Sequence, residues 1–330
     1  MRICIFGAGA IGAYVGACLA RAGRDVTLVA RGPHLAAMRA NGVRVREYPG
    51  LEDFEARPAC AAAEEVGPPP DLLLLTLKGH QIAPALPAIR PLLGPDTLVA
   101  VAVNGIPFWY FHGLEGPWAG RPVETVDPGG ALLREIGPER VLGTVIKLGV
   151  EAVEPGILKH TSPYATLYMG EPAGGVTDRL RAVHAALQAG GIKAPACENI
   201  RDEIWNKLLV NLCFNPISAL TESASDALGG DAGIRTLVDR MMTEARAVAG
   251  ALGARITIDM EERLAKLATN PPQITSMLQD LRLGRPMEID GIVTAVLELA
   301  ETVGVDAPII QTVHALVTRR ARAAGLYPAS

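Results

Sequence analysis

The chain has 330 residues, 49% hydrophobic and 20% charged, with a net charge of −4, which is enough for two globular domains and excludes a disordered chain. No basic run interleaved with aromatics points to nucleic acid, and no apolar stretch approaches the length of a membrane span. Five cysteines (Cys4, Cys18, Cys60, Cys197, Cys213) lie far apart, without a C-x-x-C or a Cys/His cluster, which argues against a zinc site. An odd, scattered set of cysteines fits a reducing compartment. With a first strand that starts almost at Met1, leaving no targeting segment, it predicts a cytoplasmic protein.

The first predicted element is a buried strand, Ile3–Phe6. Gly7, Gly9 and Gly12 follow as G-x-G-x-x-G where a helix over 10–22 begins, and a second strand follows over 25–29. In that strand–turn–helix–strand setting the pattern predicts a dinucleotide site spanning Gly7, Ala8, Gly9, Ala10, Ile11 and Gly12. Gly7 permits the tight turn, Gly9 lets backbone approach a pyrophosphate, and Gly12 lets helix and strand pack closely. The helix then aims its first amides at the phosphates. An ordinary strand-to-helix turn leaves the third glycine unexplained. At the end of the second strand, where an acidic residue would take the ribose hydroxyls, Arg31 stands instead. Its guanidinium suits a 2′-phosphate and predicts NADP rather than NAD; otherwise Arg31 is a solvent-facing residue ahead of a helix over 33–41.

Residues 43–47 alternate like a short strand, and 48–70, rich in Pro, Ala and Glu, read as peripheral. An apolar strand over 71–77 ends at Lys78, and another over 97–103 ends at Asn104-Gly105. Between them a helix over 81–93 is shortened or broken by Pro84, Pro87 and Pro91. The carboxyl ends of parallel strands are where ligands bind in open α/β sheets, so Lys78 and Asn104 are candidate contacts; alternatively Asn104-Gly105 is only a turn. Residues 105–128 carry the unbroken aromatic run Phe108-Trp109-Tyr110-Phe111 among scattered prolines. This segment reads either as a lid or substrate wall, or as a patch on the domain surface or a subunit interface. Strands over 141–150 and 164–169, separated by Glu154-Pro155-Gly156, and a helix over 177–189 complete the first half, with 192–198 as a join.

Helical periodicity then dominates, over 200–214, 234–252, 260–268, 289–303 and 309–324. The predicted fold is an α/β Rossmann-type N-terminal domain, with a mostly parallel doubly wound sheet, over 1–197. An all-α C-terminal domain follows over 198–330, and the cleft between the two is the expected place for a substrate. An extended helical domain of this kind commonly supports a homodimer.

The most informative stretch beyond the glycines is the helix carrying Lys207, Asn211 and Asn215. Spaced four apart, they share one face, while Ile204, Leu208, Leu209 and Leu212 make most of the rest apolar. Asparagine is unfavourable inside a helix, so a Lys-Asn-Asn stripe on a largely buried one asks for a polar ligand. The alternative is a solvated stripe with a Glu203–Lys207 pair. Read functionally, Lys207 protonates a carbonyl and the asparagines hold hydroxyl or carboxylate oxygens. Ser276 opens a later helical segment, either as its N-cap or as a hydroxyl for a carboxylate. Glu288 and Asp290 precede another helix, where dipole stabilisation alone would place them.

These residues together resemble the ketopantoate reductase (2-dehydropantoate 2-reductase) family over nearly the whole chain. The resemblance rests on Gly7 to Gly12, Arg31, Thr76-Leu-Lys78, Asn104-Gly105, Glu203-Ile-Trp-Asn-Lys207 with Asn211 and Asn215-Pro216, Ser276-Met-Leu-Gln-Asp280, and Glu288-Ile-Asp290. It implies an NADPH/NADP+-dependent reductase of a small 2-oxo acid, ketopantoate to pantoate in the route to pantothenate and coenzyme A. It also implies Lys207 as proton donor, and Asn104, Lys207, Asn211, Asn215 and Ser276 as substrate contacts. Arg31, Lys78, Asn104 and Glu288 would join the glycine turn in holding the cofactor. Two departures stand out: segment 105–128 is longer than in compact members, and Ser225 stands about where they place a substrate-contacting asparagine. They leave hydride transfer intact and open the choice of substrate to a larger or more apolar keto acid, or an imine. A non-catalytic NADP(H) sensor is a third reading, disfavoured by Lys207 standing with both asparagines.

Overall fold

In the structure, a computed structural model that describes residues 1–269 and 272–328, strands and helices first alternate. The order is β1 (Ile3–Phe6), α1 (Ala10–Arg21), β2 (Val26–Val29), α2 (Gly32–Asn41), β3 (Val43–Arg46), β4 (Phe54–Ala56), β5 (Ala59–Ala61), β6 (Leu72–Leu75), α3 (Gly79–Ile89) and β7 (Leu98–Val101). There follow α4 (Ala131–Ile136), β8 (Val141–Glu154), β9 (Ile157–Gly170), α5 (Asp178–Ala189) and β10 (Ala196–Cys197). Helices then take over: α6 (Ile200–Thr221), α7 (Ser225–Gly230), α8 (Ala232–Ala251), α9 (Met260–Thr269), α10 (Ser276–Arg282), a π-helical turn (Asp290–Thr294), α11 (Ala295–Val303) and α12 (Pro308–Ala323).

The strands form one sheet in the order β4-β3-β9-β8-β7-β6-β1-β2-β5, with β10 beside β9. β1 lies parallel between β2 and β6, and β7 and β8 continue the parallel run. Every residue of β1 and β6 is buried, as continuous apolar runs covered on both faces must be. Among the described residues only β3–β4 and β8–β9 pair antiparallel. The class is therefore the expected one, a mostly parallel α/β sheet followed by helices.

Four local expectations change. Residues 48–70 are not merely peripheral: β4 pairs with β3 and β5 with β2, closing the two ends of the sheet. Three-residue strands are too short to show a period. The β8–β9 hairpin is longer than predicted, because the last four residues of β8 are exposed and give no buried apolar run to mark them as strand. The 192–198 join lies on the sheet, with β10 against Met169 and Gly170. Finally, α6 runs through Pro216 instead of stopping at 214. An internal proline costs about 3 kcal/mol, and burial of Ile217 and Ala219 beyond it offsets this.

Two compact units divide the chain. One holds 1–103, 108–122 and 129–200; the other holds 104–107, 123–128 and the residues from Arg201 onward. In the first, α1 and α5 pack aliphatic side chains such as Val15, Leu19, Leu180 and Leu187 into one core with Ile5 and Leu28 of the sheet. Phe108, Trp109, Tyr110 and Phe111 are buried in this unit to 2% exposure or less, so the aromatic run is core, neither lid nor surface patch. Trp109 packs where Gly143 has no side chain; a Cβ there would lie 2.7 Å from its ring. In the second unit α6 is largely buried, with Trp205, Leu208, Leu209 and Leu212 at 1% exposure or less. No described helix is long and apolar enough to cross a membrane.

Candidate active site

β1 delivers the chain into the glycine turn, and the turn is tied to strands on both sides. Gly7 and Ala8 donate their amides to Val29 O of β2 at 3.1 and 2.8 Å, and Thr76 Oγ1 beyond β6 donates to Gly7 O at 2.8 Å. Gly7 has φ +100°, a region that disfavours any side chain. At Gly12 an added Cβ would collide with the Thr76 hydroxyl and lie 2.9 Å from Gly7 O. Gly9 differs: a Cβ there would meet nothing nearer than Gly7 O at 3.9 Å. Its missing side chain therefore serves no packing within the chain. It leaves room beside the start of α1, where Ala10, Ile11 and Gly12 present amides that a helix leaves without an internal acceptor. This is a cradle that fits a pyrophosphate.

Arg31 follows β2 as the exposed N-cap of α2. Lys78 follows β6 as the half-buried N-cap residue of α3, its amide donating to Gln81 Oε1 at 3.1 Å. Since β1, β2 and β6 are parallel neighbours, the glycine turn, Arg31 and Lys78 leave the sheet at one edge. Arg31 and Lys78 thus bring two cations to that edge.

The helical unit gathers a second set. Lys207 Nζ donates to Asn104 Oδ1 at 2.8 Å, and Asn104 Nδ2 donates to Glu288 Oε2 at 3.2 Å. Residues from three remote stretches thus form one hydrogen-bonded row. Gly105, at φ +86°, runs against the π-helical turn, where Ile106 N donates to Gly291 O at 2.8 Å. Along α6, Lys207 and Asn211 are half-buried and Asn215 is buried. The Asn215 Nδ2 is shielded from solvent with no hydrogen-bond partner among the described residues. A buried amide left so costs about 1–3 kcal/mol. Asn206, on the same helix, acts differently, since its Oδ1 accepts from Thr257 N and Ile258 N at 2.9 and 3.1 Å and fixes a loop.

Ser276 is not the N-cap of α10. Thr275 takes that role, its Oγ1 accepting from Leu278 N at 3.2 Å, and Ser276 is exposed at the first helical position. Ser225 is buried and closed on Gln273, with its amide to Gln273 O at 2.9 Å and its Oγ accepting from Gln273 N at 3.1 Å. Asp290 does more than favour a helix start, because it accepts hydrogen bonds from Tyr327 and Thr294. Nothing periodic in the sequence marks Tyr327.

The family model described as ketopantoate reductase PanE/ApbA matches residues 3–110, and its C-terminal counterpart matches 199–321. A 2-dehydropantoate 2-reductase of Mesorhizobium japonicum is 47% identical over 99% of this chain and 100% of its own. The crystal structure of 2-dehydropantoate 2-reductase from Methylococcus capsulatus superposes with a TM-score of 0.80 at 31% identity, covering 98% of each chain. A D-mandelate dehydrogenase in ternary complex with NADH and anilino(oxo)acetate has a TM-score of 0.81 at 22% identity, covering 99% of this chain and 100% of that one, and shares the fold. By its two family matches and its relatives, this chain belongs to the ketopantoate reductase family of oxidoreductases.

Proposed function

We propose that this protein reduces 2-dehydropantoate (ketopantoate) to pantoate with NADPH, in the route to pantothenate and coenzyme A. The observation that carries this reading is the Lys207–Asn104–Glu288 row. The Asn104 amide oxygen aims the Lys207 ammonium. Lys207 passes a proton from Nζ to the keto oxygen and stabilises the alkoxide charge that builds there. When bound, the dihydronicotinamide supplies the hydride that the carbonyl carbon receives. Asn211 and Asn215 orient the substrate's polar oxygens, and Ser276 adds a hydroxyl from the start of α10. The glycine turn with Arg31 and Lys78 holds the phosphates, and Glu288 and Asn104 complete the cofactor contacts.

A steady-state panel with purified protein tests the reading. Ketopantoate with NADPH should give the highest kcat/KM, and absence of NADPH consumption with ketopantoate removes it. A second reading, a larger or more apolar 2-oxo acid or an imine, draws on Ser225, which is buried and whose Oγ accepts from Gln273 N. Preference in the same panel for a substrate lacking the distal hydroxyl decides for it. Tight NADPH binding with no turnover of any keto acid would indicate a sensor. A homodimer is part of the proposal and is checked by sedimentation velocity.

A further inference from the structure

The stretch from Met287 to Thr294 is held by residues of the chain's C-terminal end. Met287 N donates to Leu326 O at 3.3 Å, and the Tyr327 hydroxyl donates to Asp290 Oδ1. Thr294 Oγ1 lies 3.3 Å from the same carboxylate oxygen and 3.0 Å from His314 Nε2. Burial holds His314 below the usual imidazole range, Arg322 adding to it and Asp290 opposing. The neutral ring is then assigned the tautomer that donates from Nε2 to Thr294, leaving the Thr294 hydroxyl to donate to Asp290. Burial, then the Asp290 carboxylate, pushes the Tyr327 phenol up to about 12, so it remains a donor. The Arg322 guanidinium lies 5.7 Å from the Tyr327 ring centre.

What these bonds hold is a π-helical turn, a rare geometry found disproportionately at functional sites. Its Gly291 carbonyl takes Ile106 N, and a Cβ at Gly105 would collide with that carbonyl. Glu288, just ahead of the turn, takes Asn104 Nδ2, and Asn104 takes Lys207. Backbone and side chain of the Asn104–Ile106 segment are therefore both set by the piece of chain that Tyr327 anchors, all within one compact unit. We propose that Tyr327, bonded to Asp290, is a positioning residue for the reduction, fixing the π-helical turn and through it the placement of Asn104 and the Lys207 ammonium. The inference rests on the reductase reading in taking Lys207 as the proton donor.

Tyr327→Phe removes the hydroxyl and keeps the ring. It should lower kcat with ketopantoate and NADPH by about 3–30-fold, the span expected for coupling through a packed network. In an Asn104→Ala background the same change should move kcat by less than about twofold, since the path it acts through is gone. A merely structural role would give the same loss in both backgrounds. Equal losses, or a kcat within about twofold of the unaltered protein for Tyr327→Phe alone, overturn the proposal. Protein labelled with ¹³Cε-lysine supplies a readout that needs no turnover. The Lys207 resonance, assigned by its loss in Lys207→Arg, should be displaced by Tyr327→Phe. If the unaltered protein reduces no keto acid, the reductase reading fails by itself and this resonance decides: displacement supports positioning, and an unmoved signal refutes it.

Discussion

Lys207 Nζ meets Asn104 Oδ1 at 2.8 Å across 103 residues of sequence. The amide oxygen orients the ammonium, and the proposed role of Lys207 as proton donor is tested by removing it. Lys207→Ala should lower kcat by about 10²–10⁴, the usual worth of a positioned general acid. Quenching of intrinsic fluorescence by NADPH should give an unchanged binding midpoint. Full activity in this variant would sink the assignment.

The three glycines of the turn should fail in different ways. Gly12→Ala drives a methyl into Thr76 and Gly7 O and should cost about 1–3 kcal/mol of stability in urea unfolding. Gly9→Ala meets no such obstacle, so its unfolding curve should match that of the unaltered protein while NADPH affinity drops. Unchanged NADPH binding in Gly9→Ala would remove the cradle reading.

Arg31 is exposed at the end of β2, so its loss should leave the fold alone. Arg31→Ala should weaken NADPH by about 1.5–3 kcal/mol, the scale of a charge-assisted hydrogen bond, and hardly change NADH. Paired calorimetric titrations check this, and an equal loss for both cofactors rules out the 2′-phosphate role.

Asn215 should show opposite effects on stability and function. Asn215→Leu replaces an amide whose buried nitrogen has no partner among the described residues with an apolar group of similar size. Thermal unfolding of the free protein should be unchanged or higher, while kcat/KM for the keto acid falls by about 10–150-fold, the loss of one hydrogen bond to a charged group. A kcat/KM equal to that of the unaltered protein would show that Asn215 does not touch the substrate.

Glu171 gives the clearest pH dependence of stability. Burial opposes its ionisation, but hydrogen bonds from Arg179 and Thr177 and the guanidinium charge outweigh this and hold its carboxyl below the usual range. A depressed folded value means the stabilisation is complete above the unfolded carboxyl's ordinary 4.5 and is lost as pH falls through the lower folded value. Glu171→Gln should cost about 1.5–3 kcal/mol at pH 7, and the two unfolding curves should converge on acidification below that range. A difference that persists or grows in acid contradicts the pairing.

The glycine pattern, the parallel apolar strands and the Lys-Asn-Asn spacing are legible because each is written locally. A turn needs particular residues at adjacent positions, and a helix face repeats every few residues. Short strands and tight pairings are not legible in this way: β4 and β5 are three residues each, and β10 only two. The aromatic run at 108–111 misleads because its composition tells how much apolar area must be covered, not what covers it. Its place under Gly143 depends on β8, some 30 residues further along.

By itself the sequence determined a glycine turn between a strand and a helix, the cation at the end of β2 and a polar stripe on one buried helix, since these follow from backbone geometry and periodicity within a few turns. Tertiary structure alone decided that Lys207 meets Asn104, that Asn104 meets Glu288, and that Tyr327 reaches Asp290. Those pairings join residues up to 184 positions apart, and a hydrogen bond of about 3 Å between them depends on the packing of whole helices, which no local pattern encodes.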